Sequence, residues 1–148
     1  MGLDTSHDCW HGGYTAFMVW RRWVAERAGY PPLDMMRGFQ MEGQELPLWI
    51  EASGLRYGFG KHKPIRPISW QPMAGDPLAI LLSHSDCDGR IRWWDAEGIA
   101  RRLLEVVREV KEDPDPREPH EARFATAALR FARGLLRAHA AREDVEFR

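Results

Sequence analysis

The chain has 148 residues, 44% of them hydrophobic, enough for one domain to bury a core without disulfide or metal staples. No apolar run approaches the roughly 20 residues that cross a bilayer, and the acidic, polar N-terminus does not read as a secretory signal, so a cytoplasmic protein is expected. A formal net charge of −1 gives no overall pull towards nucleic acid or an anionic membrane, which leaves any such partner to local patches.

From Gly12 to Arg27, the residues Tyr14, Phe17, Trp20 and Val24 recur at helical spacing and predict one apolar face, with Arg21, Arg22 and Arg27 on the other. Gly29 ends this helix and Pro31-Pro32 prevents its resumption. Residues 33–63 mix glycines with scattered aromatics and read as loop, with a short strand at Leu48-Trp49-Ile50. A proline-flanked edge strand is expected around Ile65 to Trp70. Gly75-Asp76-Pro77 then turns the chain into Leu78-Ala79-Ile80-Leu81-Leu82, an apolar run that reads as a buried strand.

Beyond it, Asp95 is expected to cap a helix that buries Ile99, Leu103, Val106, Val107 and Val110. Lys111 to Pro119 is a charged, proline-broken linker. The last helix, from His120 to Ala141, carries the stripe Phe124, Ala128, Phe131 and Leu135, and its small residues, Gly134 among them, allow close contact with a neighbour. Val145-Glu146-Phe147 alternates and adds a short strand. These elements predict a single α+β domain over residues 1–148, a small, mainly antiparallel sheet packed by about three helices.

Two polar clusters concentrate the chemistry. His84-Ser85-Asp86-Cys87-Asp88-Gly89 follows the apolar run, and Ser6-His7-Asp8-Cys9-Trp10-His11 repeats its composition near the N-terminus. On an extended loop, His84, Asp86 and Asp88 lie two apart and point one way, and Gly89 lets the backbone turn so that all three reach one cation. Carboxylates suit manganese or magnesium, and the imidazole shifts the preference towards zinc. His7 and His11 share a face if their segment is helical and, with Asp8, would complete the coordination from the second cluster. Asp8 or Ser6 has the simpler alternative of capping the first helix. Cys9 and Cys87 read as reduced packing thiols, with a bridge between them as the alternative.

Three further features point to an anionic ligand. Gly12-Gly13 at the start of the first helix would let backbone N–H groups approach a phosphate. Arg90-Ile91-Arg92-Trp93-Trp94 interleaves guanidinium forks with indole planes, a combination suited to a nucleotide or single-stranded nucleic acid. Lys61-His62-Lys63 adds a local positive patch. In Trp20-Arg21-Arg22-Trp23 the same interleaving is expected to be amphipathic packing with arginines reaching to solvent.

The string from Leu82 to Gly89 resembles the first motif, HxDxDG, of the DHH phosphoesterases. That likeness implies a manganese-dependent hydrolase of phosphodiesters and related phosphate compounds, with Asp86 and Asp88 at ligand positions and His84 as the motif histidine. The same stretch is similar to an EF-hand calcium loop starting at His84, but His in its first position and Asp95 in its last make calcium the less favoured ion. Across most of its length the chain also resembles small phage and actinobacterial proteins that pair a Ser-His-Asp segment with His-Ser-Asp-Cys-Asp-Gly, a likeness that carries no activity with it.

Three readings follow. In the first, His84, Asp86 and Asp88, with His7, Asp8 or His11, hold a divalent ion that activates water against a phosphate ester, and Arg90 or Arg92 stabilises the developing charge. In the second, Arg92, Trp93 and the Gly12-Gly13 turn bind a phosphorylated, nucleotide-like ligand, or the surface holds a host protein, without chemistry. In the third, the His and Asp side chains form a hydrogen-bond network that pins the N-terminus in place.

Overall fold

The structure, a computed structural model, describes residues 2–39, 67–85, 88–108, 110 and 120–148. Outside them lie the strand expected at Leu48-Trp49-Ile50, the Lys61-His62-Lys63 patch, the linker over 111–119, and Asp86 and Cys87 of the central cluster. The described residues form an α+β fold with four helices: α1 (Tyr14–Arg27), α2 (Leu78–Leu82), α3 (Trp93–Val107) and α4 (Glu121–Ala141). Two antiparallel pairs of strands accompany them, β1 (Gly2–Asp4) with β2 (His11–Gly13), and β3 (Arg90–Ile91) with β4 (Val145–Glu146). None of these helices is long and apolar enough to cross a membrane.

The periodic helices form where their apolar residues recur. In α1, Phe17, Trp20 and Val24 are buried, in α3 Ile99, Leu103, Val106 and Val107, and in α4 Ala128, Phe131 and Leu135. The longest contact is α3 along α4. Asp95 is not the cap of α3, whose N-cap is Arg92 with an extended backbone, so the helix begins at the tryptophans. Nor do Ser6 or Asp8 cap α1. They form a 3-10 turn ahead of β2, and Gly13 occupies the cap position.

Leu78–Leu82 is a helix where a strand is expected. A five-residue apolar run carries no usable periodicity, and its leucines and alanine favour a helix. Asp76, just before the N-cap Pro77, supports the helix by accepting the Leu78 N–H through its carboxylate (3.0 Å). The same carboxylate receives both arms of Arg102 at 3.0 Å each, which fastens α2 to α3. Of the edge strand expected around Ile65 to Trp70, the described part contains one parallel bridge, Met36 to Ile68.

The C-terminal tail forms the expected short strand and joins the two strand pairs. On one side β4 pairs with β3, and the Phe147 N–H reaches the Gly89 carbonyl (3.0 Å). On the other, Phe147 bridges Thr5, and Asp4 and Arg148 exchange two backbone hydrogen bonds (3.0 and 2.8 Å).

The N-terminal segment is seated in a notch in α4. A Cβ on Gly134 would lie 2.4 Å from Cys9 Sγ and 2.9 Å from both Cys9 Cα and the His7 carbonyl oxygen. Two of these three neighbours are backbone atoms, which cannot swing aside. Gly134→Ala is therefore expected to destabilise the fold by about 1–3 kcal/mol, the usual range for overpacking, although alanine is the better helix former. Urea unfolding of the two proteins measures it.

Candidate functional site

The two polar clusters lie on either side of the C-terminal strand, but their side chains turn to separate partners. His84 stacks on Phe147 (ring centroids 4.2 Å apart, planes at 28°), and Phe147 bridges Thr5 of the other cluster. Gly89, at φ 92°, passes so close that a Cβ there would meet the His84 ring at 3.3 Å. His84 Nδ1 lies 2.7 Å from the Ser85 carbonyl oxygen. A carbonyl only accepts, so Nδ1 carries the proton and Nε2 is the nitrogen that can accept from, or coordinate, another group.

In the N-terminal cluster, His7 Nε2 lies 3.1 Å from the Glu143 carboxylate, Asp8 pairs with Arg130, and His11 pairs with Asp4. The hydrogen bond from Arg130 holds the Asp8 carboxyl below its ordinary pKa. His7 and His11 do not share a helical face, because the 3-10 turn ends at Asp8 and His11 belongs to β2. Among the described residues no three His, Cys, Asp or Glu side chains are close enough to hold a metal ion together. Asp86 lies outside them, so the two described members of the predicted central ligand set are His84 and Asp88. Gly12 pairs with Leu3 in the β-ladder, and Gly13 with Gly2.

Arg90 and Arg92 converge on a carboxylate that the sequence does not single out. Asp144 receives the Arg92 guanidinium at 2.9 Å, Arg90 at 3.8 Å, and the Trp93 backbone N–H at 3.0 Å. The chain's own side chain thus occupies the anion position at the start of α3. Arg92 also lies over Trp94 (5.5 Å to the ring centroid), and Arg142 over Trp93 (5.9 Å).

His84 also lines a cavity of about 460 Å³. Its wall includes Arg21, Arg22 and Arg37, the stretch from Ser83 to Ser85, and Phe39. Arg21 departs from the solvent-facing role expected of it, being 1% exposed. It lies between the rings of Phe17 (4.6 Å) and Phe39 (5.3 Å), and its Nη1 donates to the carbonyls of Leu81, Leu82 and His84. A guanidinium in that position satisfies the carbonyls that α2 leaves open at its C-terminus, which an ammonium with one point of charge would do less well. Arg22 is held by Asp34 (2.7 Å). Among the described residues the wall therefore carries three guanidiniums and an imidazole against one carboxylate. Sequence reading finds His84 but misses Arg21 and Arg37, because neither the burial of one nor the position of the other leaves a mark in local spacing.

No family model, curated protein or solved structure matches this chain.

Two outcomes test these assignments. The Trp93 backbone hydrogen bond, with Arg92, holds the Asp144 carboxyl below its ordinary pKa. A carboxylate whose pKa falls on folding adds stability above its unfolded value, near 3.9, and loses it as pH falls through the folded one. Asp144→Asn is expected to lower the melting temperature at neutral pH, and the gap to the unaltered protein should close as pH drops through the carboxylate range. Burial pushes the Cys9 thiol up to about 12 and leaves it 0% exposed. At pH 8 a thiol reagent should therefore label Cys9 only after unfolding, which peptide mapping of native and denatured samples would resolve.

Proposed function

We propose that this protein binds a small phosphorylated ligand of nucleotide size in the cavity between α1 and the loop after α2. The observation that carries this reading is the wall itself, where His84 of the central motif lines the same cavity as Arg21, Arg22 and Arg37. Guanidiniums are groups that recognise phosphate, and about 460 Å³ is within the range of small-ligand sites. Phe39 and Met18 offer the apolar contact that a base or similar ring would need. The ligand would enter over Arg37, which is exposed at the rim.

A divalent ion is the second element of the proposal, supported by the HxDxDG likeness and by the proton on Nδ1, which leaves His84 Nε2 as the donor to a metal. His84, Asp86 and Asp88 would hold the ion next to the phosphate, and hydrolysis of a phosphate ester would follow if a bound water is activated there.

Calorimetric titration with nucleoside mono-, di- and triphosphates, each with and without manganese, tests both elements. Binding by at least one of them, weakened about tenfold or more in Arg37→Ala with an unchanged melting temperature, and in His84→Ala at a temperature below that variant's own unfolding transition, is the expected result. No heat and no thermal shift with any phosphorylated compound would sink the reading. Manganese-dependent release of phosphate from the monophosphates, with water supplying the oxygen and the nucleoside leaving as the alcohol, lost in Asp86→Asn and Asp88→Asn, would make the protein an esterase. Binding without release would make it a carrier or sequestering protein.

A further inference from the structure

Away from the cavity, the paired helices α3 and α4 present an outer face that is apolar along its seam and basic along its flanks. Six large apolar residues are exposed among the described ones, and Trp94, Leu104, Leu129 and Leu136, four of them, belong to these two helices. On α3 and its C-cap, Glu97, Arg101, Leu104 and Arg108 recur at spacings of four, three and four, and on α4 Thr126, Leu129, Arg133, Leu136 and Ala140 at three, four, three and four, which makes one outward stripe on each helix. The stripes run side by side, because Glu97 lies 3.5 Å from His139 Nε2, next to Ala140 at the far end of the α4 stripe.

Charge on this face is predominantly basic. Arg101, Arg108 and Arg133 are all exposed, while its two carboxylates are already engaged, Glu97 by Arg101 (2.6 Å) and His139, and Glu105, exposed beside Leu104, by Arg102 (2.6 Å). Over its whole length α4 carries four arginines, of which Arg130 is paired with Asp8 and Arg137 donates to the His7 carbonyl, and one acid, Glu121, which is itself paired with Arg27 of α1. In a chain of net charge −1, that is a local concentration of positive charge.

From these observations we infer that the outer face of α3 and α4 is a docking surface for an acidic amphipathic helix of a partner protein. A groove between two antiparallel helices accepts a third whose apolar residues recur at helical spacing, and Leu104, Leu129 and Leu136 supply the matching knobs. Arg101, Arg108 and Arg133 would face glutamates on the incoming helix. A second copy of this chain fits less well, because it would set arginine against arginine. A phosphate backbone would leave the leucine seam without a partner.

The test uses the full chain and a labelled synthetic peptide of about five helical turns, with leucine on one face and glutamate on the others, followed by fluorescence anisotropy. The expected result is saturable binding, at least about tenfold weaker when every glutamate of the peptide is lysine and when the protein carries Arg101→Glu with Arg133→Glu. Leu129→Ser with Leu136→Ser should weaken it comparably, and circular dichroism melts confirm that the variants stay folded. Equal binding of the acidic and basic peptides, or of neither, overturns the inference. So does a result in which oligothymidylate or phosphatidylserine vesicles bind through the same arginines while the acidic peptide does not. Concentration-dependent dimerisation lost in the leucine variants would assign the face to a second copy and equally overturn it. Nucleotide titrations of the same variants, unchanged from the original protein, would show the face to be separate from the cavity.

Discussion

The clamp on Phe147 is the constraint on which the rest of the arrangement depends. Its backbone ties β3 to the N-terminal segment, and its ring, 4% exposed, stacks on His84 and lies 5.9 Å from Phe17 of α1. Burying such a ring contributes roughly 1.5–3 kcal/mol, and each backbone hydrogen bond a net of about 0.5–1.5 kcal/mol, so the two terms are of similar size and neither holds the tail alone. Without this residue the loop that carries His84 would lose the plane against which its imidazole is set. The N-terminal cluster would lose its link to the central one at the same point.

That geometry explains why two clusters of the same composition do different things. His7 and Asp8 meet charged partners from the C-terminal part of the chain, Glu143 and Arg130, while His11 pairs with Asp4 across the N-terminal hairpin, and these pairs support a segment that already sits in the Gly134 notch. Most of them are exposed, where an ion pair is worth little, so the seating of Cys9 contributes more to holding the N-terminus than the charges do. His84 is placed otherwise, with its ring held by Phe147 and Gly89 and its neighbours lining a cavity. Similar residue types thus serve attachment at one site and present a wall at the other.

What was legible in the sequence follows the strength of its periodic pattern. The three long helices and the final strand stand where apolar residues repeat over several turns or alternate clearly, as Phe17, Trp20 and Val24 do in α1. Leu78–Leu82 fails this test because five consecutive apolar residues fit either period, and the Asp76 carboxylate two residues before it, which accepts the Leu78 N–H, favours the helix. Asp144 is illegible for a different reason. Its partners are 51 and 52 residues away in sequence, and no local spacing announces a carboxylate that closes the start of a distant helix.

Arg21 joins these two levels. It stands in a helix whose pattern assigns it to the solvent side, yet the open carbonyls at the end of α2 draw it inward between Phe17 and Phe39. A short helix that ends inside the protein needs a donor for its last carbonyls, and a long side chain from α1 supplies it. The residue that stabilises the end of α2 is thereby also part of the cavity wall beside His84. The helical conformation of Leu78–Leu82, unexpected from the sequence, is what brings a guanidinium to the motif: an extended strand there would direct alternate carbonyls sideways into a sheet and give Arg21 nothing to cap.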